Sequence, residues 1–137
     1  MRVKGGCYCG YITYEAEVDP DTVWICHCID CQHLGGSAFR IQVRSYEGAF
    51  KLLGSQPKIY VKTTAESGNK RAQAFCPECG TALYATTVGG PDVYTIRVGT
   101  SRQRRELPPK RQAWCRSALD WVMNLESLPQ DPKHIVR

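Results

Sequence analysis

Seven of the eight cysteines in this 137-residue chain fall into three tight clusters: Cys7-Tyr8-Cys9, Cys26-His27-Cys28-Ile29-Asp30-Cys31 and Cys76-Pro77-Glu78-Cys79-Gly80. No other feature restricts the fold so strongly. Thiols two or three positions apart can point at one ion from a single turn, whereas disulfide partners need a fixed separation that such short spacings rarely allow. The clusters read as zinc ligands. The N-terminal run Met1-Arg2-Val3-Lys4-Gly5-Gly6 enters the first cluster without the apolar core of a signal peptide, so a cytoplasmic setting is expected. Disulfides are rare in that reducing compartment, and a cysteine-rich protein there is metal-binding or catalytic.

A structural zinc takes four protein ligands, while a catalytic zinc keeps three and leaves a position for water or substrate. In Cys76-Pro77-Glu78-Cys79-Gly80 the proline shapes a knuckle turn, and the glycine lets backbone amides approach the sulfurs. This knuckle needs two more ligands, from Cys7 and Cys9 or from Cys28 and Cys31, and spacing alone does not choose. The second pairing would strand three cysteines. The first uses all seven and leaves Cys26, Cys28 and Cys31 as a three-thiolate set, so ligand numbers favour it and two zinc ions per chain are expected.

Between the clusters run short strands. Ile12 to Val18 alternates apolar and polar residues and stops at Asp19-Pro20-Asp21. Similar runs cover Ala38 to Val43, Lys58 to Thr63, Arg71 to Phe75, Thr81 to Thr86 and Val93 to Val98, with Gly48, Gly54, Ser67-Gly68-Asn69 and Gly89-Gly90-Pro91-Asp92 as breaks. Helix is confined to one turn after Cys28 and two turns over Ala118 to Leu125. The length suits one domain, residues 1–137, with a mainly β fold. No run reaches the roughly 18 apolar residues of a membrane span, so no membrane partner is expected.

The order of these motifs carries a resemblance. Gly6-Cys7-Tyr8-Cys9-Gly10, then the Cys26 to Cys31 cluster with Gly35-Gly36-Ser37-Ala38-Phe39 behind it, then Phe75-Cys76-Pro77-Glu78-Cys79-Gly80-Thr81, resembles the glutathione-dependent formaldehyde-activating enzyme family, which includes centromere protein V. Trp114-Cys115-Arg116-Ser117-Ala118 followed by Trp121-Val122 is similar to the family's C-terminal segment, giving a motif core of about residues 5–125. The resemblance implies a compact Mss4-like β fold. It also implies a structural zinc at Cys7, Cys9, Cys76 and Cys79, and a second zinc at Cys26, Cys28 and Cys31 where the chemistry takes place. The implied reaction is that of a carbon-sulfur lyase, an S-(hydroxymethyl)glutathione synthase acting on a small aldehyde and a thiol such as glutathione. The competing reading is a non-catalytic, zinc-stabilised binding module. A fourth protein ligand closing the second site would favour the module, and an open position the enzyme.

Several residues have plainer readings beside sharper ones. His27 and His33 flank the three-cysteine cluster. A hydrogen bond near the metal is expected of His27, and His33 is the candidate general acid or base. Three thiolates leave zinc a weak Lewis acid, so activation needs a nearby cation or histidine, and Arg40 and His33 lie closest in sequence. Cys115 is expected to be a small buried residue, Trp24, Trp114 and Trp121 core or site-wall aromatics, and Gly35-Gly36 a tight turn. Arg97, Arg102, Arg104, Arg105, Lys110, Arg111 and Arg116 read as a solvated basic run. The formal charge of +5 falls by about 3 once seven cysteines bind zinc as thiolates. No nucleic-acid partner is expected.

Overall fold

The computed structural model describes residues 1–90 and 92–135, so Pro91 of the Gly89-Gly90-Pro91-Asp92 break and the last two residues of the expected domain lie outside it. Among the described residues nine strands build a mainly antiparallel sheet: β1 (Arg2–Gly6), β2 (Ile12–Val18), β3 (Trp24–Cys26), β4 (Arg40–Gly54), β5 (Lys58–Lys62), β6 (Arg71–Phe75), β7 (Ala82–Thr87), β8 (Thr95–Arg97) and β9 (Arg111–Ala113). The order is β1-β2-β4-β8-β7-β6-β5, with β3 lying against both β4 and β9. The pair β3 and β9 is parallel.

Strand β2 occupies the predicted Ile12–Val18, and its residues alternate between buried and half-buried as the sequence pattern requires. β4 is much longer than its predicted start at Ala38 to Val43. Its first residues pair with β3 and β8, and its later ones with β2. Between these two duties the register with β2 jumps, from Ala16 opposite Phe50 to Val18 opposite Ser45. Gly48, in the bulge, takes a positive φ of 68° that favours glycine. One strand therefore bends through two ladders and couples both halves of the sheet.

The core forms where the buried faces meet. Val3, Ile12, Tyr14, Val43, Leu83 and Ile96 are almost wholly inaccessible. Phe50 stacks on Tyr94 with ring centroids 4.2 Å apart and on Tyr14 at 5.5 Å. The Tyr14 hydroxyl is satisfied by Thr100 Oγ1 at 2.8 Å, as a buried phenol requires.

The α-helix, α1 (Ile29–Gly35), follows Cys28 as expected and ends on Gly36 at φ 62°, which makes Gly35-Gly36 a helix-ending turn. Over Ala118 to Leu125 the chain forms short 3₁₀ turns, Asp120–Met123 and Leu125–Ser127, in place of two α turns. Trp121 is 58% exposed there and belongs to no core. Among the described residues no helix is long and apolar enough to cross a membrane.

Candidate metal centres and the adjoining cavity

The β1–β2 and β6–β7 turns carry the first four sulfurs, and they are built alike. In the first, Cys7 N–H donates to Ile12 O and Gly10 N–H to Cys7 O. In the second, Cys76 N–H donates to Thr81 O and Gly80 N–H to Cys76 O. Both close on a glycine of positive φ, Gly10 at 83° and Gly80 at 78°. Backbone amides then turn inward: Ile12 N lies 3.2 Å from Cys7 Sγ, and Glu78 N and Cys79 N lie 3.4 and 3.5 Å from Cys76 Sγ.

The four sulfurs lie within 4.8 Å of one another. Cys9 Sγ is 3.7 Å from Cys7 Sγ and 3.8 Å from Cys76 Sγ. A tetrahedron with metal–sulfur bonds of about 2.3 Å has edges of about 3.8 Å, so this donor set fits zinc, whereas a disulfide would bring two sulfurs to about 2.05 Å. All eight cysteines are free.

Thiols packed so closely cannot all ionise independently, and their pKa values separate. The Thr81 hydroxyl, 3.1 Å away, and nearby amides pull Cys79 down to about 5. The Tyr11 amide acts to lower Cys9, but desolvation and the three neighbouring sulfurs push it up to about 12. Burial raises Cys7, yet the Ile12 amide and the sulfurs of Cys76 and Cys9 outweigh it and the net shift is downward.

The second group, Cys26, Cys28 and Cys31, also lies within 4.8 Å. Cys26 ends β3, Cys28 caps α1, and Cys31 sits in the first helical turn with its amide 3.3 Å from Cys28 Sγ. Cys26 and Cys31 are buried and Cys28 is half-exposed. Contact with Cys31 lowers the Cys26 thiol, and the same contact with burial raises Cys31 against the opposing charge of Arg40. Arg40 Nη2 donates to Cys31 Sγ at 2.8 Å, which brings the cation expected near this cluster into direct contact with it. Among the described residues no His, Asp or Glu joins these three sulfurs in one cluster.

His27 is buried and its Nε2 donates to Gln112 Oε1 at 2.8 Å, the expected hydrogen bond beside the cluster. His33 is exposed on α1. Cys115 is exposed, contrary to expectation, and follows Trp114, whose backbone is in the left-handed region at φ 57°. Arg97 leaves the expected solvated run altogether. It is 8% exposed, its Nη2 donates to Gln73 Oε1 at 2.8 Å, and its Nη1 donates to Gln42 Oε1 at 3.0 Å.

Beside Cys28 opens a cavity of about 660 Å³, with Asp30, Lys62, Thr64, Trp114 and Arg116 on its walls. Such a volume suits a small ligand. Lys62 Nζ, at 2.9 Å, and Thr64 Oγ1, at 2.8 Å, hold Asp30 and lower its carboxyl. Arg116 lies over the Trp114 ring at 5.1 Å and has no acidic partner among the described residues. Apart from Trp114, expected as a core or site-wall aromatic, this wall was not legible in the sequence because β5, α1 and the segment after β9 meet only in three dimensions. The aromatic-cysteine-arginine run at 114–116 was its one visible signal.

A family model described as glutathione-dependent formaldehyde-activating enzyme matches residues 2–117. A solved structure of a Rhodobacter sphaeroides protein, a structural-genomics target, is similar in fold: TM-score 0.61, 19% identity, 80% of this chain and 99% of that chain covered. No curated protein matches.

Proposed function

The chain belongs to the glutathione-dependent formaldehyde-activating enzyme family, and from that premise we propose that it is a zinc-dependent carbon-sulfur lyase-type enzyme that joins a small aldehyde to a thiol such as glutathione. The observation that carries this reading is the three-sulfur cluster whose half-exposed member, Cys28, faces a ligand-sized cavity without a fourth protein donor among the described residues. In the reaction RSH + CH2O → RSCH2OH, a carbon-sulfur bond forms as the carbonyl π bond breaks, and the thiol proton ends on the new hydroxyl.

Cys26, Cys28 and Cys31 are the residues that would hold the reactive zinc, and Cys7, Cys9, Cys76 and Cys79 the structural one. Held by Cys26, Cys28 and Cys31, zinc would supply Lewis acidity that favours the thiolate of a bound thiol and polarises an aldehyde oxygen. Arg116, stacked on Trp114, offers a cation to a carboxylate of the thiol. His33, the candidate general acid or base, is exposed on α1 outside the cavity lining, close enough for its charge to act on Asp30 of the wall.

The test is formaldehyde–glutathione exchange followed by NMR with the zinc-loaded protein. Acceleration of S-(hydroxymethyl)glutathione formation, lost in Cys28→Ser, is the expected result. A folded, two-zinc protein that accelerates neither this exchange nor that of other cellular thiols would overturn the enzyme reading.

A further inference from the structure

Arg40 and Arg97 are each 8% exposed, and none of the ion pairs among the described residues includes either. Burying one unpaired guanidinium is costly, and two neighbours sharing only neutral partners are more so. Their partners form a row. Arg97 Nη1 donates to Gln42 Oε1 at 3.0 Å, Arg97 Nη2 to Gln73 Oε1 at 2.8 Å, and Arg40 Nη1 to the same oxygen at 3.3 Å. The row ends on Cys31 Sγ, 2.8 Å from Arg40 Nη2. That contact is no longer than an ordinary N–H···O bond, although sulfur is the larger atom, and it is the one place where the row meets a group able to carry negative charge. Three thiolates around a divalent metal leave a net charge of minus one, the sign the two buried cations require.

We infer that Arg40, held in place by Gln73 and Arg97, is a positioning residue that draws electron density from Cys31 and so keeps the metal at Cys26, Cys28 and Cys31 electrophilic. The inference rests on the reading of that cluster as a metal site. A sulfur that accepts an N–H bond donates less to its metal, and partners just outside the ligand set tune a site in this way. Three thiolates alone would blunt the metal. Arg40 offsets that blunting without occupying the open coordination position.

Cobalt(II) replacing zinc in the full chain provides the readout, because sulfur-to-cobalt charge-transfer energy rises when a sulfur is stabilised by a hydrogen bond. The Cys28→Ser protein identifies which absorption belongs to the three-cysteine site. In Arg40→Gln, and in Gln73→Glu where a carboxylate competes for the guanidinium, that band is expected to move to longer wavelength, with kcat lowered by about 10-fold or more. Arg40→Lys, which keeps the charge, should restore part of the shift. The four-cysteine band stays fixed and reports folding, so Gln73→Glu carries the test if Arg40→Gln does not fold. Bands superimposable on wild type in both substitutions would overturn the inference while leaving the metal site intact. Uptake of a single cobalt per chain would remove the site itself and the inference with it.

Discussion

Cys28 and Cys76 carry the same thiol, yet their surroundings assign different consequences to losing it. Cys76 is fully buried, receives two backbone amides and sits against Cys9 from a turn 67 residues away. With Cys76 gone, the four-sulfur group could no longer hold a metal that would pin two hairpin turns together, and a structural metal contributes its binding free energy to folding. Cys76→Ser and Cys9→Ser are therefore expected to unfold the protein or lower Tm severely. Cys28→Ser should empty the second site with a smaller loss, and calorimetry on the three proteins reads the difference. Equal losses would make both metals structural. The four-plus-three division was legible because it depends on counting ligands within short turns. The fates of Arg97 and Cys115 were not: Arg97 is held by glutamines 24 and 55 residues distant, and Cys115 lies in an exposed turn after a left-handed tryptophan that no local pattern announces.

Among the elements, β1 shows how a strand hides in sequence. Its Gly5-Gly6 ending lacks the side chains that mark a strand, yet both glycines pair with β2 in register. A Cβ on Gly5 would collide with the Thr100 carbonyl and the Tyr14 hydroxyl, so here the absence of a side chain lets three segments touch. Gly5→Ala is expected to cost about 1–3 kcal/mol through overpacking, read as a lower urea midpoint. Gly99→Ala, with open space around it, should leave the midpoint nearly unchanged. β2 and β6 were legible to the residue because each has local alternation or firm boundaries. β3 and β9, three residues each, pair with one another across 87 positions and carry no periodic signal of their own. The second half of β4 was lost behind its bulge for a similar reason, since partners on β2 create it and local preference does not.

For the whole molecule, two zinc ions per purified chain are expected, and elemental analysis giving one reproducibly would overturn the count. The aromatic core adds a pH signature. Burial pushes the phenols of Tyr14 and Tyr84 up to about 12, so the folded state holds their protons longer than the unfolded chain does. Their contribution to stability is complete below pH 10 and is lost as pH rises from 10 through 12. Tm should fall across that window, with two phenols titrating late by absorbance at 295 nm and one fewer in Tyr14→Phe. The paired cysteine turns also have a consequence for how the protein is made. One pair of the four-sulfur group, Cys7 and Cys9, leaves the ribosome 67 residues ahead of the other, Cys76 and Cys79, while β9 and the Trp114 wall emerge later still. A fragment that stops short of Cys76 cannot close the four-sulfur group, whereas Cys26, Cys28 and Cys31 emerge together and well before it. The nascent chain must carry Cys7 and Cys9 unclosed until the second knuckle emerges, and the cavity beside Cys28 takes shape only after both cysteine groups have been made.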